Sequence, residues 1–238
     1  MAYLIALDDG HGMETAGKRT PLISEFGRFV RENEFNRAVV AILDKELQRC
    51  GFKTLLVAPT DKDTPLEVRT TLANNANADA YVAIHYNAFD GTFAEPNPEG
   101  LSVHIYPSAS GRALGNAILK YLRQGTPQVI RGIKESPEFW VLRKTKMVAV
   151  LSENGFMDNK KEAMRMLDPA FQKEVAVEHA MGICEYFKVP YVPEAPPKPI
   201  YRVIVDGKQI GAFGDYENIA KLVVSSLGSA TQVLVQKV

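Results

Sequence analysis

Five short apolar runs constrain the fold of this chain more than anything else in it: YLIAL (3–7), KTLLVA (53–58), AYVAIH (80–85), LSVHIY (101–106) and MVAVLS (147–152). Each is nearly continuous rather than alternating, as strands are when both faces of a sheet are covered, and all five read as strands of a parallel sheet. Between them lie helical patterns. In ENEFNRAVVAILDKELQRCGF, Phe35, Val39, Ile42 and Leu47 fall near one face, and Gly51 follows as a stop. PLEVRTTLANNANA opens on a proline suited to a first helical turn, and GRALGNAILKYLRQG and DPAFQKEVAVEHAMGICEYF complete the set. Strand alternating with helix predicts an α/β fold: an open, twisted, mostly parallel sheet with helices on both faces. Ligand sites in such folds lie beyond the carboxyl ends of the strands.

The remainder reads as an appendage. VPYVPEAPPKP (189–199) carries five prolines in eleven positions and reads as a stiff extended linker. After it, 200–238 reads as strand, turn at Asp206-Gly207, strand, helix from about Tyr216 to Leu227, and a closing strand. The domains expected are therefore 1–188, the linker 189–199, and a small ββαβ domain at 200–238. A unit of about forty residues sits near the size at which a lone core is marginal, so it is expected to pair with a second copy or dock on a partner.

Composition narrows the function classes. Twenty-eight basic residues balance twenty-eight acidic ones, so nothing drives the chain broadly toward nucleic acid or anionic membrane. The two cysteines, Cys50 and Cys184, stand beside apolar residues and read as buried free thiols rather than a disulfide. GxSxG, HExxH and Walker patterns are all missing from the sequence.

Three strands end in chemistry. The first runs into DDGHG with His11, the third into IHYNA with His85, and the fifth into SENGFMDN with Glu153. The first helix offers Glu32 and Glu34. Glu32 lies three residues before Phe35 and seven before Val39, on the inward face, whereas Glu34 sits about 200° round from it, on the outer face. Two histidines and one carboxylate leave a tetrahedral zinc an open fourth position, the plan of a catalytic site. Glu153 could then accept a proton from water and pass it to a leaving amine. Each residue also has a plain reading: hydrogen-bonded histidines, a carboxylate at a helix N-terminus, a polar loop glutamate. Taken alone the residues leave both readings open. His104, inside an apolar strand, reads as a core or supporting residue, and His179, on the last helix, as structural. Asp8 or Asp9 is expected to orient a metal ligand, with the other shaping the turn.

LDDGHG, ENEFN opening a helix, AYVAIHYNA, FWVLRKTKMVAVLSENGFMDN and ICEYF together resemble the zinc-dependent N-acetylmuramoyl-L-alanine amidases of the amidase-3 type, from about residue 3 to 187. That family includes bacterial autolysins and phage endolysins. The resemblance implies cleavage of the amide between the lactyl group of N-acetylmuramic acid and L-alanine of peptidoglycan. It implies a zinc held by His11, Glu32 and His85, with Glu153 as the catalytic glutamate. Three positions depart from the family pattern: Asp9 stands where proline is common, Tyr86 where a small residue is, and Asn154 after the catalytic glutamate. The tail, chiefly IGAFGDYENIAKLV, resembles half of a SPOR-like peptidoglycan-binding module, which implies wall binding, with homodimerisation through 200–238 as the alternative.

MAYLIALDDG lacks a basic leader and its apolar stretch is short, so synthesis in the cytoplasm without a signal peptide is expected, with action on the wall after release and no membrane insertion. A phage endolysin acting on a Gram-positive host is the expected role. The alternatives are a mother-cell lytic autolysin of the same chemistry, a wall-binding protein without catalysis, and a cytosolic zinc peptidase or deacylase.

Overall fold

The computed structural model describes residues 2–196 and 198–238, so Pro197 of the proline-rich stretch lies outside it. The chain divides into two compact units between Pro193 and Glu194.

The first unit is built on β1 (Leu4–Asp8), α1 (Glu32–Arg49), β2 (Lys53–Leu56), α2 (Leu66–Asn75), β3 (Ala80–Asn87), β4 (Leu101–Ile105), α3 (Ala109–Gly125), β5 (Ile130–Glu135), α4 (Trp140–Lys144), β6 (Val148–Phe156), α5 (Lys160–Ala163) and α6 (Pro169–Phe187). The strand order is β2-β1-β3-β6-β4-β5. The pairs joining β2, β1, β3 and β6 are parallel, as the apolar runs predict. β4 departs from that reading, because it runs antiparallel to β6 while pairing in parallel with β5. A buried run reads the same in either direction, so its orientation is set by the connections and not by its residues. β5 is a strand that the periodicity does not announce. IRGIKE lies at the sheet edge, half exposed, and has no continuous apolar run.

Side-chain alternation splits the sheet's two faces. Ile5, Leu7, Ala80, Val82, Ile84 and Val150 point into the larger core, against α1, α3 and α6. Ala6, Tyr81, Ala83, Ala149 and Leu151 point the other way, into a small core closed by Ala73 of α2 and by Val141 and Leu142 of α4. Those two short helices cover only part of that face. The alternation continues through Asp8, His85 and Glu153, which emerge where the cover ends.

Cys50 and Cys184 are both free and buried. Beyond α6, which ends on left-handed Lys188, the chain stays on this unit for a few residues. Tyr191 donates to Glu46 (2.7 Å), and Arg49 donates to the Val192 carbonyl (2.9 Å).

The second unit comprises β7 (Tyr201–Val205), β8 (Lys208–Phe213), α7 (Tyr216–Ser226) and β9 (Val233–Lys237), with an antiparallel sheet in the order β8-β7-β9. Asp206 and Gly207 both take positive φ (47° and 80°), the geometry of a two-residue hairpin turn. Among its described residues, Val203 and Ile219 are the buried apolar side chains, whereas Ile210, Leu234 and Val235 are exposed. None of the described helices is long and apolar enough to cross a membrane.

Candidate active site

The site is built where β1 stops. Gly10 (φ +47°) and His11 (φ +56°) turn the chain sharply across the end of the sheet. Gly10 is required by contact as well as by conformation, since a Cβ there would lie 2.4 Å from Cε1 of His85. Asn33, the second residue of α1 and fully buried, clamps this turn. Its Nδ2 lies 3.0, 2.8 and 3.3 Å from the carbonyls of Asp9, Gly10 and His11.

Neither aspartate is hydrogen-bonded to a histidine ring, and Asp8 fixes the turn that carries His11. The Asp8 carboxylate accepts from the Gly10 N–H (2.9 Å), from Arg69 Nη1 (2.6 Å) and from the Tyr81 hydroxyl (2.5 Å). Burial, with the Asp8 charge next, pushes the Tyr81 hydroxyl well above its usual range, which keeps it a donor. Arg69 is 1% exposed and also pairs with Asp63 (2.6 Å), so α2 is tied to the turn by a buried ion pair. Asp9 accepts from Nε of Arg37 (3.2 Å), and its burial raises its carboxyl to about 6 despite that partner.

Glu32 opens α1 and points inward, 1% exposed, while Glu34 takes the outer side and pairs with Arg28 (2.8 Å). Oε1 of Glu32 lies 2.9 Å from Nδ1 of His85 and accepts from the Tyr86 N–H (3.1 Å) and Asn36 Nδ2 (3.2 Å). Oε2 lies 3.3 Å from Nε2 of His11 and 3.9 Å from Lys18 Nζ, yet it is buried without a hydrogen-bond partner. Burial opposes ionisation of Glu32, but the His85 hydrogen bond and the charges of His85, His11 and Lys18 outweigh it and hold the carboxyl well below its usual range. Burial lowers His11 to about 4, leaving its ring neutral at pH 7.

His85 and Glu153 are register partners in the parallel pair β3–β6, so both lie inside strands rather than in the loops after them. The rings of His11 and His85 meet edge to face, centroids 5.0 Å apart. Donor atoms of His11, Glu32 and His85 all lie within 4.8 Å of one another. Glu153 joins His11 and His85 in lining a cavity of about 340 Å³, whose apolar wall includes Leu66, Phe139 and Trp140. Its Oε2 is buried without a hydrogen-bond partner, and burial raises its carboxyl to about 8.

His104 and His179 lie apart from the donor group. Ser102 and Ser136 flank His104 (3.0 and 2.7 Å), whose ring stacks on Phe139 of the cavity wall. His179 is fully buried on α6, between the Val175 carbonyl (2.7 Å) and Ser152 (2.9 Å). Tyr86 and Asn154, two of the positions expected to depart from the resembled family, are each held by a hydrogen bond. Tyr86 donates to the Glu162 carbonyl (2.8 Å), and Asn154 donates to the His85 carbonyl (3.0 Å). Asn33, Arg69 and Lys18 were not singled out from sequence. An amide next to the inward-facing Glu32 in ENEFN is the local signal for Asn33, whereas Arg69 and Lys18 are recognisable only through partners distant in the chain.

Comparison with known proteins identifies the family. Residues 5–185 match the family described as N-acetylmuramoyl-L-alanine amidase, Amidase_3. A sporulation-specific N-acetylmuramoyl-L-alanine amidase of Bacillus subtilis is 30% identical over 211 residues, 88% of this chain and 74% of that protein. An endolysin of Bacillus phage SPP1 is 31% identical over 193 residues, 78% of this chain and 66% of that protein. The catalytic domain of CwlV, the N-acetylmuramoyl-L-alanine amidase of Paenibacillus polymyxa, superposes with a TM-score of 0.69 at 31% identity, covering 79% of this chain and 99% of that one. With the sheet, the turn and the donor set all falling inside the matched span, the chain belongs to the Amidase_3 family of N-acetylmuramoyl-L-alanine amidases.

Proposed function

We propose that this protein is a zinc-dependent peptidoglycan amidase that hydrolyses the bond between N-acetylmuramic acid and L-alanine, with His11, Glu32 and His85 as metal ligands and Glu153 as general base and acid. The observation that carries this reading is Oε2 of Glu32, buried without a hydrogen-bond partner and 3.3 Å from Nε2 of His11. An acceptor left bare at such a depth costs folding energy unless something binds there, and two imidazoles and a carboxylate are the donor set that zinc takes. When bound, the metal polarises the amide carbonyl and makes water a better nucleophile. Glu153, in the same cavity, takes the proton of the attacking water and returns it to the alanine nitrogen as the C–N bond breaks. Its burial suits the proton-returning half of that task, because the carboxyl holds a proton more readily than an exposed glutamate.

Purified protein mixed with Gram-positive cell walls, with and without a chelator, tests the reaction. New N-terminal alanine, no reducing sugar ends and full loss on chelation are expected. Reducing ends, or activity that survives chelation, would refute it.

The role we infer is lysis of the wall from inside, as a phage endolysin, supported by likeness to the SPP1 endolysin. A second reading, a mother-cell autolysin, is favoured by the sporulation-specific relative, whose match extends over 88% of the chain. Transcript timing separates them: late in infection for the first, late in sporulation for the second. The unit after Pro193 would hold the enzyme on the wall, pair two copies, or both. Its two buried apolar side chains and exposed Ile210, Leu234 and Val235 support an outside partner. Wall pull-down and sedimentation of the full chain against a truncation after Pro193 tell these apart.

A further inference from the structure

The backbone of Lys18 is fixed by hydrogen bonds on both sides. Its carbonyl accepts from the Glu32 N–H (3.0 Å), its own N–H donates to the Thr15 carbonyl (3.3 Å), and the next residue bridges to Arg31. The turn before it is fastened in its own right, Met13 donating to the Asp61 carbonyl (2.8 Å) and Thr15 to the Asp63 carboxylate (2.6 Å). The side chain stands 39% exposed, with Nζ 3.9 Å from Oε2 of Glu32. Among the described residues lining the cavity it is the one lysine or arginine, set against Asp8, Glu138 and Glu153. Asp8 is already neutralised by Arg69. A divalent cation on His11, Glu32 and His85 would take up the charge of Glu32, leaving the ammonium with Glu138 and Glu153 in the cavity but neither of them at ion-pair distance.

The substrate supplies an anion at a suitable distance, given the amidase reading on which this inference rests. After L-alanine the stem peptide continues into D-glutamate joined through its side-chain carboxyl, so an α-carboxylate stands about one residue beyond the scissile amide, roughly 4–7 Å away along the chain. Some walls carry it free and others convert it to the carboxamide. We propose that Lys18 is a specificity-determining residue whose ammonium binds this α-carboxylate and favours stem peptides that carry it free over amidated ones. The ammonium–carboxylate bond is charge-assisted, and the amide has no charge to offer in its place.

The test uses the full chain carrying Glu153→Gln, loaded with zinc, so that binding is read without turnover. Calorimetric titration compares N-acetylmuramoyl-L-alanyl-γ-D-glutamate with its α-amide. The acid should bind about tenfold more tightly, less so as salt is raised. Adding Lys18→Met should erase that advantage and leave the affinity for the amide and the zinc content as they were. Lys18→Arg should keep most of it. Equal affinities with Lys18 in place, or a preference that survives Lys18→Met, overturn the proposal while leaving the amidase reading intact. So does an equal loss for both ligands or a loss of zinc in Lys18→Met, which would mean that Lys18 works through Glu32. If a zinc-loaded protein binds neither ligand, the amidase reading falls and the proposal with it.

Discussion

His85 and Glu153 stand side by side in the parallel register of β3 and β6, so one strand pairing places an imidazole and a carboxylate in the same cavity. Glu153→Gln keeps the shape and removes the proton acceptor. Turnover should fall by about 10²–10⁴-fold while zinc content, read by atomic absorption, is unchanged. A variant that keeps its activity would take the acid–base role away from Glu153.

The approach of Gly10 to the His85 ring predicts a steep penalty for a single methyl. Gly10→Ala would put Cβ 2.4 Å from Cε1 of His85 on a backbone with φ +47°. Loss of zinc affinity and a lowered Tm are expected together. Gly17→Ala is the control, since φ is +74° there but nothing lies within 4 Å. It should show the left-handed penalty alone, about 1–2 kcal/mol, with zinc binding intact.

Arg69→Met strands the Asp8 carboxylate, which is itself fully buried. Removing one partner of a buried pair costs about 3–5 kcal/mol, so urea unfolding should show a drop of that order. Asp8→Asn added to Arg69→Met should recover part of it. Additive losses in that double-mutant cycle would mean that the pair is not coupled.

Glu178 on α6 offers a pH effect independent of the site. Burial, with the nearby Glu174 charge second, raises its carboxyl from 4.5 to about 8, against the opposing pull of the Gly125 and Thr126 N–H groups. The folded state therefore binds this proton more tightly than the unfolded chain does. The stability it confers is complete below about pH 4.5 and is lost as pH rises through about 8. Glu178→Gln should flatten the melting temperature between pH 5 and 9 and raise it most at the alkaline end. Parallel curves for the two proteins would remove Glu178 as the source.

The parallel core of the sheet and the faces of α1 were legible because burial on both sides leaves an uninterrupted apolar run and a helix leaves a period. The helical wheel alone distinguishes Glu32, 1% exposed, from Glu34, which reaches Arg28 at the surface. The direction of β4 and the existence of β5 were not legible, one because burial has no direction and the other because an edge strand needs no continuous apolar run. In the site, the ring- and carboxylate-bearing residues announced themselves by breaking apolar runs. Their supports did not. Nothing around Arg69 in the sequence sets it apart, and only the folding of α2 against the end of β1 buries it on Asp8. Asp8 and Asp9 were legible as polar residues at the strand end, but their partners, the Gly10 N–H, Arg69 and Arg37, were not.

The two-sided character of β3 sets where such a chain is free to vary. Val82 and Ile84 answer to the packing of three long helices, whereas His85, one position on and facing the other way, answers to a half-covered surface. Neighbouring codons in one strand are thus under unrelated demands. The wall formed by Leu66, Phe139 and Trp140 can therefore be altered without drawing on the larger core, whose packing is set by the other face of the same strands.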